Sequence, residues 1–311
     1  MSQYTQANGH GYMERSIPMW NLQDYRFASN PAEAVALMRK GPGKGAYIAG
    51  GTDMLLEHPN CDFVVDINKA GIGDVALTPG GDLFLGAAAT LQNLADNDFV
   101  TGFAGGAVSI AASQCGNRPV RTTATVGGNL CNALPSADMA PVLLALDATC
   151  YIADEDCTES LPLTDFFVGP RMTVLEDRLL VGVALPGECA GWRCLAHKLT
   201  RTAEDISLVQ VAVSLGVDDG RIQEVRIALG AVAPVPMRAS LAETMLTGQE
   251  IAAITPDVIG DVAAIAAGEC EPLDDHRASA EYRRDMVSVL TRRLVTRILS
   301  DGGDIGKGGA A

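Results

Sequence analysis

The chain has 311 residues and a mass of 32.5 kDa, with 48% hydrophobic and 20% charged residues. This composition predicts a globular protein of about two domains and excludes wholesale disorder. The 38 acidic residues outnumber the 23 basic ones, giving a formal charge of −15. Strong acidity argues against a general binder of nucleic acids or anionic membranes, because both need clustered Lys and Arg. No apolar run approaches the roughly 18 residues of a membrane span and the first residues lack a signal-peptide pattern, so we predict a cytoplasmic protein without a membrane span.

Strands and helices alternate over roughly the first 190 residues, which is typical of an α/β unit. Residues 1–18 are polar and lack a hydrophobic period, so a flexible N-terminal arm is expected. Asn30 and Pro31 predict the capped start of a helix through Met38. The other predicted elements are strands at 47–49, 63–67, 83–85 and 150–152, helices at 91–95 after the cap Thr90, at 105–113 and at 141–146, and a glycine turn at 127–128.

Glycine, proline and an acidic residue cluster at 186–191, and we place a domain boundary there. Two β-rich runs follow at 207–217 and 221–229, joined by Asp218-Asp219-Gly220, a tight-turn signal that predicts a hairpin. Helices are predicted at 237–246, 256–267 and 278–299, and the tail 301–311 is glycine-rich and expected to be disordered.

The last predicted helix combines an apolar face with a basic one. Its apolar side chains recur near helical spacing and are Met286, Val289, Leu290, Val295 and Ile298. Between positions 277 and 297 six arginines stand against two acidic residues. This basic face is either a solvated helix surface or a docking surface.

The eight cysteines predict neither a disulfide framework nor a metal site. The chain is long, no C-x-x-C pair is present, and the closest pairs, Cys150 with Cys157 and Cys189 with Cys194, lack the tight repeated spacing of metal ligands. We therefore expect reduced thiols and no metal bound by this chain. The four histidines form no catalytic pattern, and no catalytic residue is assigned.

Two glycine pairs with polar flanks are the strongest local features. They lie in Ala49-Gly50-Gly51-Thr52-Asp53 and in Thr125-Val126-Gly127-Gly128-Asn129. Two successive residues without Cβ let a ligand approach the main chain, whose N–H groups can then converge on an anion. The G-x-G-x-x-G fingerprint and the phosphate loop ending in Lys-Ser or Lys-Thr are both absent. The two pairs therefore suggest a diphosphate held from both sides by another kind of site.

These pairs, together with further segments, make the chain resemble the FAD-binding medium subunit of molybdenum hydroxylases. Examples of that family are the carbon monoxide dehydrogenase medium subunit and the xanthine dehydrogenase FAD domain. The resemblance runs from about residue 20 to residue 299 and is carried by the segments 49–53, 124–130, 135–138, 146–148, 198–201, 204–206, 228–234 and 277–284. It implies an α+β or α/β fold: a two-subdomain FAD-binding domain of the vanillyl-alcohol-oxidase or PCMH type at 19–188, then a smaller C-terminal domain at 189–300 with a β-sheet and a helical bundle.

The resemblance also implies which residues contact FAD. Two loops would wrap the pyrophosphate, formed by Ile48, Ala49, Gly50, Gly51, Thr52, Asp53 and Met54, and by Thr125, Val126, Gly127, Gly128 and Asn129. Asp138 would contact the ribityl chain, Leu180 the flavin end, and Lys198 the isoalloxazine or ribityl chain. From the residues alone, Asp138 could instead cap the start of the helix that has Pro141 in its first turn, and Lys198 could be an ordinary surface lysine.

Three departures from the sequences of relatives are visible. Thr122 follows Arg121 where relatives often have Asn, and Cys115 falls where xanthine dehydrogenase places an aromatic residue near the flavin. No cysteine-rich insertion for an extra iron–sulfur cluster is visible, which favours a subunit whose only cofactor is flavin.

The resemblance implies an oxidoreductase flavoprotein that passes electrons from [2Fe–2S] clusters of a partner through FAD to an external acceptor. The expected partners are a large molybdopterin-binding subunit and a small [2Fe–2S] subunit, arranged as a dimer of heterotrimers. Two alternatives stay open. One is a stand-alone flavin-dependent oxidase of the same fold, and the other is a non-catalytic nucleotide-binding assembly module.

Overall fold

A computed structural model describes residues 22–57 and 59–300. The expected N-terminal arm at 1–18 and the tail at 301–311 lie outside the described residues. The described chain forms four sheets, with helices packed between and against them. The predicted combination of helices and sheets is confirmed.

The chain begins with a three-stranded parallel sheet of order β1-β3-β2. Its elements are β1 (Asp24–Phe27), α1 (Pro31–Arg39), β2 (Gly45–Ile48), α2 (Met54–Glu57) and β3 (Phe63–Asp66). Helix α1 starts as the sequence predicts, because the Asn30 side chain accepts the N–H of Glu33 and Pro31 occupies the first turn. The first glycine loop leaves the carboxyl end of β2, the side of a parallel sheet on which ligands bind in open α/β folds.

A five-stranded antiparallel sheet of order β4-β5-β10-β6-β7 follows. The elements of this region are β4 (Val75–Leu77), β5 (Leu83–Gly86), α3 (Leu91–Asp96), α4 (Asp98–Gly102), α5 (Ala107–Ser113), α6 (Arg118–Arg121), α7 (Val126–Cys131), α8 (Ala140–Ala145), β6 (Thr149–Ala153), β7 (Thr158–Pro162), β8 (Phe167–Gly169), β9 (Met172–Thr173) and β10 (Leu179–Leu185). Strands β8 and β9 pair separately as a small hairpin.

The last third of the chain forms a four-stranded antiparallel sheet of order β11-β12-β13-β14 with three helices. These elements are β11 (Arg193–Leu199), β12 (Val209–Asp218), β13 (Arg221–Gly230), β14 (Met237–Arg238), α9 (Ser240–Thr244), α10 (Pro256–Gly268) and α11 (Ala280–Ser300). The predicted hairpin is present: Asp219 and Gly220 both have positive φ, 46° and 74°, as a two-residue type I′ turn requires.

Strand β12 is buried on both faces. Val209, Val211, Val213 and Leu215 belong to a hydrophobic core shared with α10 and α11. The opposite face of β12 points toward α8, since the Ser214 hydroxyl donates to the carbonyl oxygen of Ala145 in that helix at 2.5 Å. The sheet β11-β12-β13-β14, called the fourth sheet below, is therefore a layer between α8 and the C-terminal helices.

Three sequence-based predictions are wrong in detail. Gly127 and Gly128 form the first turn of α7 rather than a loop turn, because the Thr125 side chain caps that helix. The helix predicted at 237–246 is confined to Ser240–Thr244, since Met237 pairs with Leu229 in the sheet.

The third correction concerns the apolar face of α11. The helix buries Val287 and Leu294, which the predicted face omitted, and leaves Met286 and Val289 partly exposed. The buried face of α11 differs from the predicted one because the helix packs against both α10 and β12. Contact on two sides covers a wider stripe of the helix.

Candidate functional site

The fold brings the two predicted glycine loops close together, because the first loop contacts residues on both sides of the second. A Cβ on Gly50 would overlap the carbonyl oxygen of Thr123, just before the second loop. Asp53 hydrogen-bonds to Asn132 at the end of α7. Arg171 closes the arrangement from the β8–β9 hairpin, donating to both Glu57 oxygens at 2.6 and 2.8 Å and to Asn132 at 3.2 Å. Segments about 75 positions apart therefore form one continuous surface.

The first loop presents free backbone donors. Among the described residues no acceptor faces the N–H groups of four successive residues, Gly50, Gly51, Thr52 and Asp53. Gly51 has a φ of +66°, and the loop is held from behind by the Asn68 side chain, which donates to the Ala49 carbonyl oxygen at 3.0 Å. Consecutive N–H groups around a left-handed residue form a concave anion site. This loop fits a phosphate of a dinucleotide.

The second loop differs, because its backbone donors are already used. The N–H groups of Val126 and Gly127 donate to the carbonyl oxygens of Ala89 and Ala87 at 3.0 and 2.9 Å, and Asn129 donates to the Thr125 carbonyl oxygen at 3.0 Å. Gly128 donates to the Thr125 hydroxyl at 3.0 Å. The predicted backbone nest is therefore confined to the first loop. The second loop instead allows a ligand to approach its main chain closely, because Gly128 is exposed and has no side chain.

Gly127 is required by packing. A Cβ there would lie 2.6 Å from the Ala87 Cβ, whereas a Cβ on Gly128 would meet only the Thr125 hydroxyl, at 3.0 Å. The two glycines of one pair thus have different roles: the first holds the helix against the segment after β5, and the second faces outward.

Asp138 and Lys198 form a buried ion pair. Lys198 Nζ lies 2.9 Å from Asp138 Oδ2, and the two side chains are 8% and 13% exposed. Lys198 also donates to the Gln114 carbonyl oxygen at 3.1 Å, and the amide nitrogen of Gln210 donates to Asp138 Oδ1 at 2.5 Å. Lys198 is therefore no surface lysine. Nor does Asp138 cap α8, whose N-cap is Met139 without a side-chain bond.

Burial dominates the electrostatics of this cluster. It raises the pKa of Asp138 above its ordinary value of 3.8, although the charge of Lys198 and hydrogen bonds from Lys198, Cys115 and Gln210 act in the opposite direction. Burial and the Asp138 charge also raise the pKa of the Cys115 thiol. Cys115 is thus a neutral hydrogen-bond donor to the carboxylate at neutral pH.

The remaining predicted residues lie around the loops. Leu180 has a buried side chain on β10, opposite Ile152. Its neighbour Val181 accepts the N–H of Ala87, whose own carbonyl oxygen accepts Gly127, so Leu180 is linked to the second loop. Asn129 Oδ1 accepts the N–H of Met139 at 3.1 Å, which fixes the position of the adjacent Asp138. Met54 packs against the small core around Ile48 and Val64.

Three residues of this region were missed by the sequence reading. Gln210 had a visible signal, since it is a long polar side chain inside an apolar strand. Asn132 and Arg171 had none, because their roles depend on contacts with Asp53 and Glu57 across the fold.

Two family models match the chain. One, described as the FAD binding domain in molybdopterin dehydrogenase, covers residues 21–188, and the other, the CO dehydrogenase flavoprotein C-terminal domain, covers residues 196–298. The chain belongs to the FAD-binding medium subunits of the molybdenum hydroxylase family. It is an oxidoreductase flavoprotein subunit, and its cofactor is FAD.

Several relatives of this FAD-binding subunit match it over nearly their full length. The xanthine dehydrogenase FAD-binding subunit of Escherichia coli O157:H7 is 32% identical over 92% of this chain and 99% of its own. The carbon monoxide dehydrogenase medium chain of Hydrogenophaga pseudoflava is 26% identical over 88% of this chain and 95% of its own. The solved carbon monoxide dehydrogenase of that organism superposes with a TM-score of 0.82 at 27% identity, covering 88% of this chain and 95% of the other.

Within residues 22–57 and 59–300 no group of three or more His, Cys, Asp or Glu is placed to hold a metal ion. None of the helices described in those ranges is both long and apolar enough to cross a membrane.

Proposed function

We propose that the subunit passes electrons from [2Fe–2S] clusters of a partner subunit to an external acceptor, inside a complex with a large molybdopterin-binding subunit. Bound FAD supplies the chemistry, because a flavin exchanges single electrons with iron–sulfur centres and can pass on two. The observation that carries the proposal is the row of four N–H groups at Gly50 to Asp53 that have no acceptor among the described residues, in a loop that packs against Thr123, just before the second loop.

The residues of the chain divide the binding of FAD between them. The first loop, Ile48 to Met54, holds the pyrophosphate by its N–H groups, and the second, Thr125 to Asn129, covers it from the other side at Gly128. Asp138 accepts hydrogen bonds from the ribityl hydroxyls, and Lys198 places a positive charge near the flavin. Leu180 supports the flavin end from β10. A cation beside the flavin favours the reduced, more negative form and raises its potential.

The organisation around this site belongs to the same proposal. A FAD-binding domain covers 19–188 and a C-terminal domain covers 189–300, in a cytoplasmic complex of large, medium and small subunits arranged as a dimer of heterotrimers. The name medium chain, which relatives carry, supports partners of two other sizes.

The binding step is tested by titrating the purified full-length chain with FAD and following the flavin spectrum. Gly128→Val should weaken binding at least tenfold, because the added side chain fills the exposed face of the second loop. Gly260→Val is the control, since that glycine lies in α10 with open space around it. Equal affinity of wild type and Gly128→Val would contradict the proposed site.

The electron-transfer step is tested with the partner chains that co-purify from cells. A small iron–sulfur subunit that has been reduced by dithionite and then freed of the excess reductant should reduce the flavin of this chain. A passive assembly module would show no flavin reduction, and a stand-alone oxidase would instead turn over a substrate without partners.

A further inference from the structure

Gln210 lies where the fourth sheet meets the predicted flavin site, and it is not among the residues that the family resemblance implied as FAD contacts. Its side chain is 4% exposed on β12 and donates to Asp138 Oδ1 at 2.5 Å. Lys198, on the neighbouring strand β11, binds the other carboxylate oxygen at 2.9 Å. The carboxylate of Asp138 is therefore held at both oxygens by two strands of the C-terminal sheet.

The orientation of the Gln210 amide follows from its surroundings. Its oxygen is buried and has no partner among the described residues. Rotating the amide by 180° would direct that oxygen at the Asp138 carboxylate, which accepts hydrogen bonds only. The nitrogen must therefore face Asp138. An apolar side chain of the same size would leave no buried oxygen unpaired, so the distinctive contribution of Gln210 is the N–H that it gives to the carboxylate.

The surrounding chain leaves room for this amide and little more. A Cβ on Gly230 would lie 2.5 Å from Gln210 Oε1 and 2.8 Å from Pro141 Cγ. Gly230 pairs with Gln210 across the β12–β13 ladder. The missing side chain at Gly230 and the amide at Gln210 therefore form one packing unit.

We propose that Gln210 is a positioning residue for flavin binding, which fixes the direction and the ionised state of Asp138 toward the ribityl chain. This inference rests on the proposed function, because it takes Asp138 as a contact of FAD. The titratable groups that face Asp138 from the packed elements are Lys198 on β11 and Cys115 after α5, whereas His197 lies on the other face of β11, near Arg293. Without the Gln210 N–H, only Lys198 and the Cys115 thiol remain as donors to the carboxylate. The carboxylate is then held less firmly and takes up a proton more readily.

The test uses Gln210→Met in the full-length chain, which keeps the length of the side chain and removes its donor. The dissociation constant of FAD should rise about tenfold at pH 7, the scale of one hydrogen bond to a charged group. The pH at which affinity changes as Asp138 titrates should move upward, since an unassisted carboxylate is protonated more readily. Gly230→Ala, which displaces the amide without altering it, should shift both quantities in the same direction.

Ser214→Ala is the matched control, because Ser214 is equally buried on the same face of β12 and donates to Ala145 instead. It should leave the affinity and its pH profile unchanged. Equal shifts in Ser214→Ala and Gln210→Met would reduce Gln210 to a packing role and overturn the inference. So would a pH profile that Asp138→Asn does not flatten. Failure of the wild-type chain to bind FAD at all would instead refute the proposed function.

Discussion

At the scale of single residues, the predicted site depends on one buried charge pair. Asp138 and Lys198 are both more than four-fifths buried, and each leaves an uncompensated charge when the other is removed. Buried pairs of this kind contribute little net stability relative to apolar residues, but breaking them is costly. The pair is therefore explained better by the site it forms than by the stability it adds.

We predict that Lys198→Met and Asp138→Asn each lower the free energy of unfolding by about 3 kcal/mol, since either leaves one partner unpaired. The double variant should lose less than the sum of the two, because no unpaired charge remains. Urea unfolding of the three variants and the wild type measures all four values. Strict additivity would show that the two side chains do not interact.

Sequence reading at this scale found the carboxylate and the lysine but missed the amide between the strands. Asp138 and Lys198 stand in recognisable family segments, whereas Gln210 is recognised only when β12 is seen to be buried on both sides. Its alternation with Val209 and Val211 reads as an ordinary strand face. The side of a strand that meets another layer is decided by tertiary packing.

At the scale of elements, the second glycine pair opens a helix. Thr125 accepts the N–H of Gly128, so the loop becomes the first turn of α7, and Gly127 packs where a side chain would collide with Ala87. Adjacent glycines of one pair therefore differ in what they tolerate.

We expect Gly127→Ala to destabilise the fold by about 2 kcal/mol or more, because the new Cβ overlaps backbone and side-chain atoms of Ala87. Gly128→Ala should change the free energy of unfolding by less than about 1 kcal/mol, since alanine favours a helix and only the Thr125 hydroxyl must shift. Thermal unfolding of the two variants provides the comparison. Equal losses would mean that α7 does not pack as described.

Several elements were predictable and others were not, for reasons visible in their residues. Asn30 and Pro31 begin α1, Thr90 caps α3, and Asp219-Gly220 joins β12 to β13, because each signal acts locally. The two-residue strands β9 and β14 are too short to carry a pattern of their own and are defined only by their pairing with β8 and β13. Met237 belongs to such a strand, which is why the helix predicted there is too long.

At the scale of the whole molecule, Asp147 connects the two large antiparallel sheets. It follows α8 with a positive φ of 57° and binds Arg226 and Arg238 of the fourth sheet at 3.2 and 3.4 Å. The Arg226 side chain is 7% exposed and Asp147 is 43% exposed. The connection is therefore asymmetric, with the cation buried and the anion in water.

This asymmetry predicts unequal effects of two substitutions. Asp147→Asn, which tolerates the positive φ, should lower the free energy of unfolding by about 2 kcal/mol, because it leaves the Arg226 charge buried with weaker compensation. Arg226→Met should cost about 1 kcal/mol or less, since water solvates the exposed Asp147. Guanidinium unfolding distinguishes the two. A larger loss for Arg226→Met would show that its contact with Trp192 outweighs its charge.

Asp275 should contribute to the loss of folding stability at acid pH. Burial acts to raise its pKa, but N–H donors from Arg277 and Ala278 and the Arg283 guanidinium lower it to about 2. A carboxyl whose folded pKa lies below its ordinary value of 3.8 stabilises the fold above about pH 4 and loses that contribution as the pH falls toward 2. Melting temperatures between pH 5 and pH 2 should fall less steeply in Asp275→Asn. Identical slopes would exclude Asp275 as a source.

Trp192 lies at the junction of the second and fourth sheets. The Arg226 guanidinium is 4.5 Å from its ring centroid, and a Cβ on Gly216 would lie 2.7 Å from the ring. The chain has two tryptophans, so Trp20→Phe would make Trp192 the only indole fluorophore. Its emission is then a label-free optical signal for the docking of the fourth sheet, recorded at wavelengths that the flavin's own emission does not obscure.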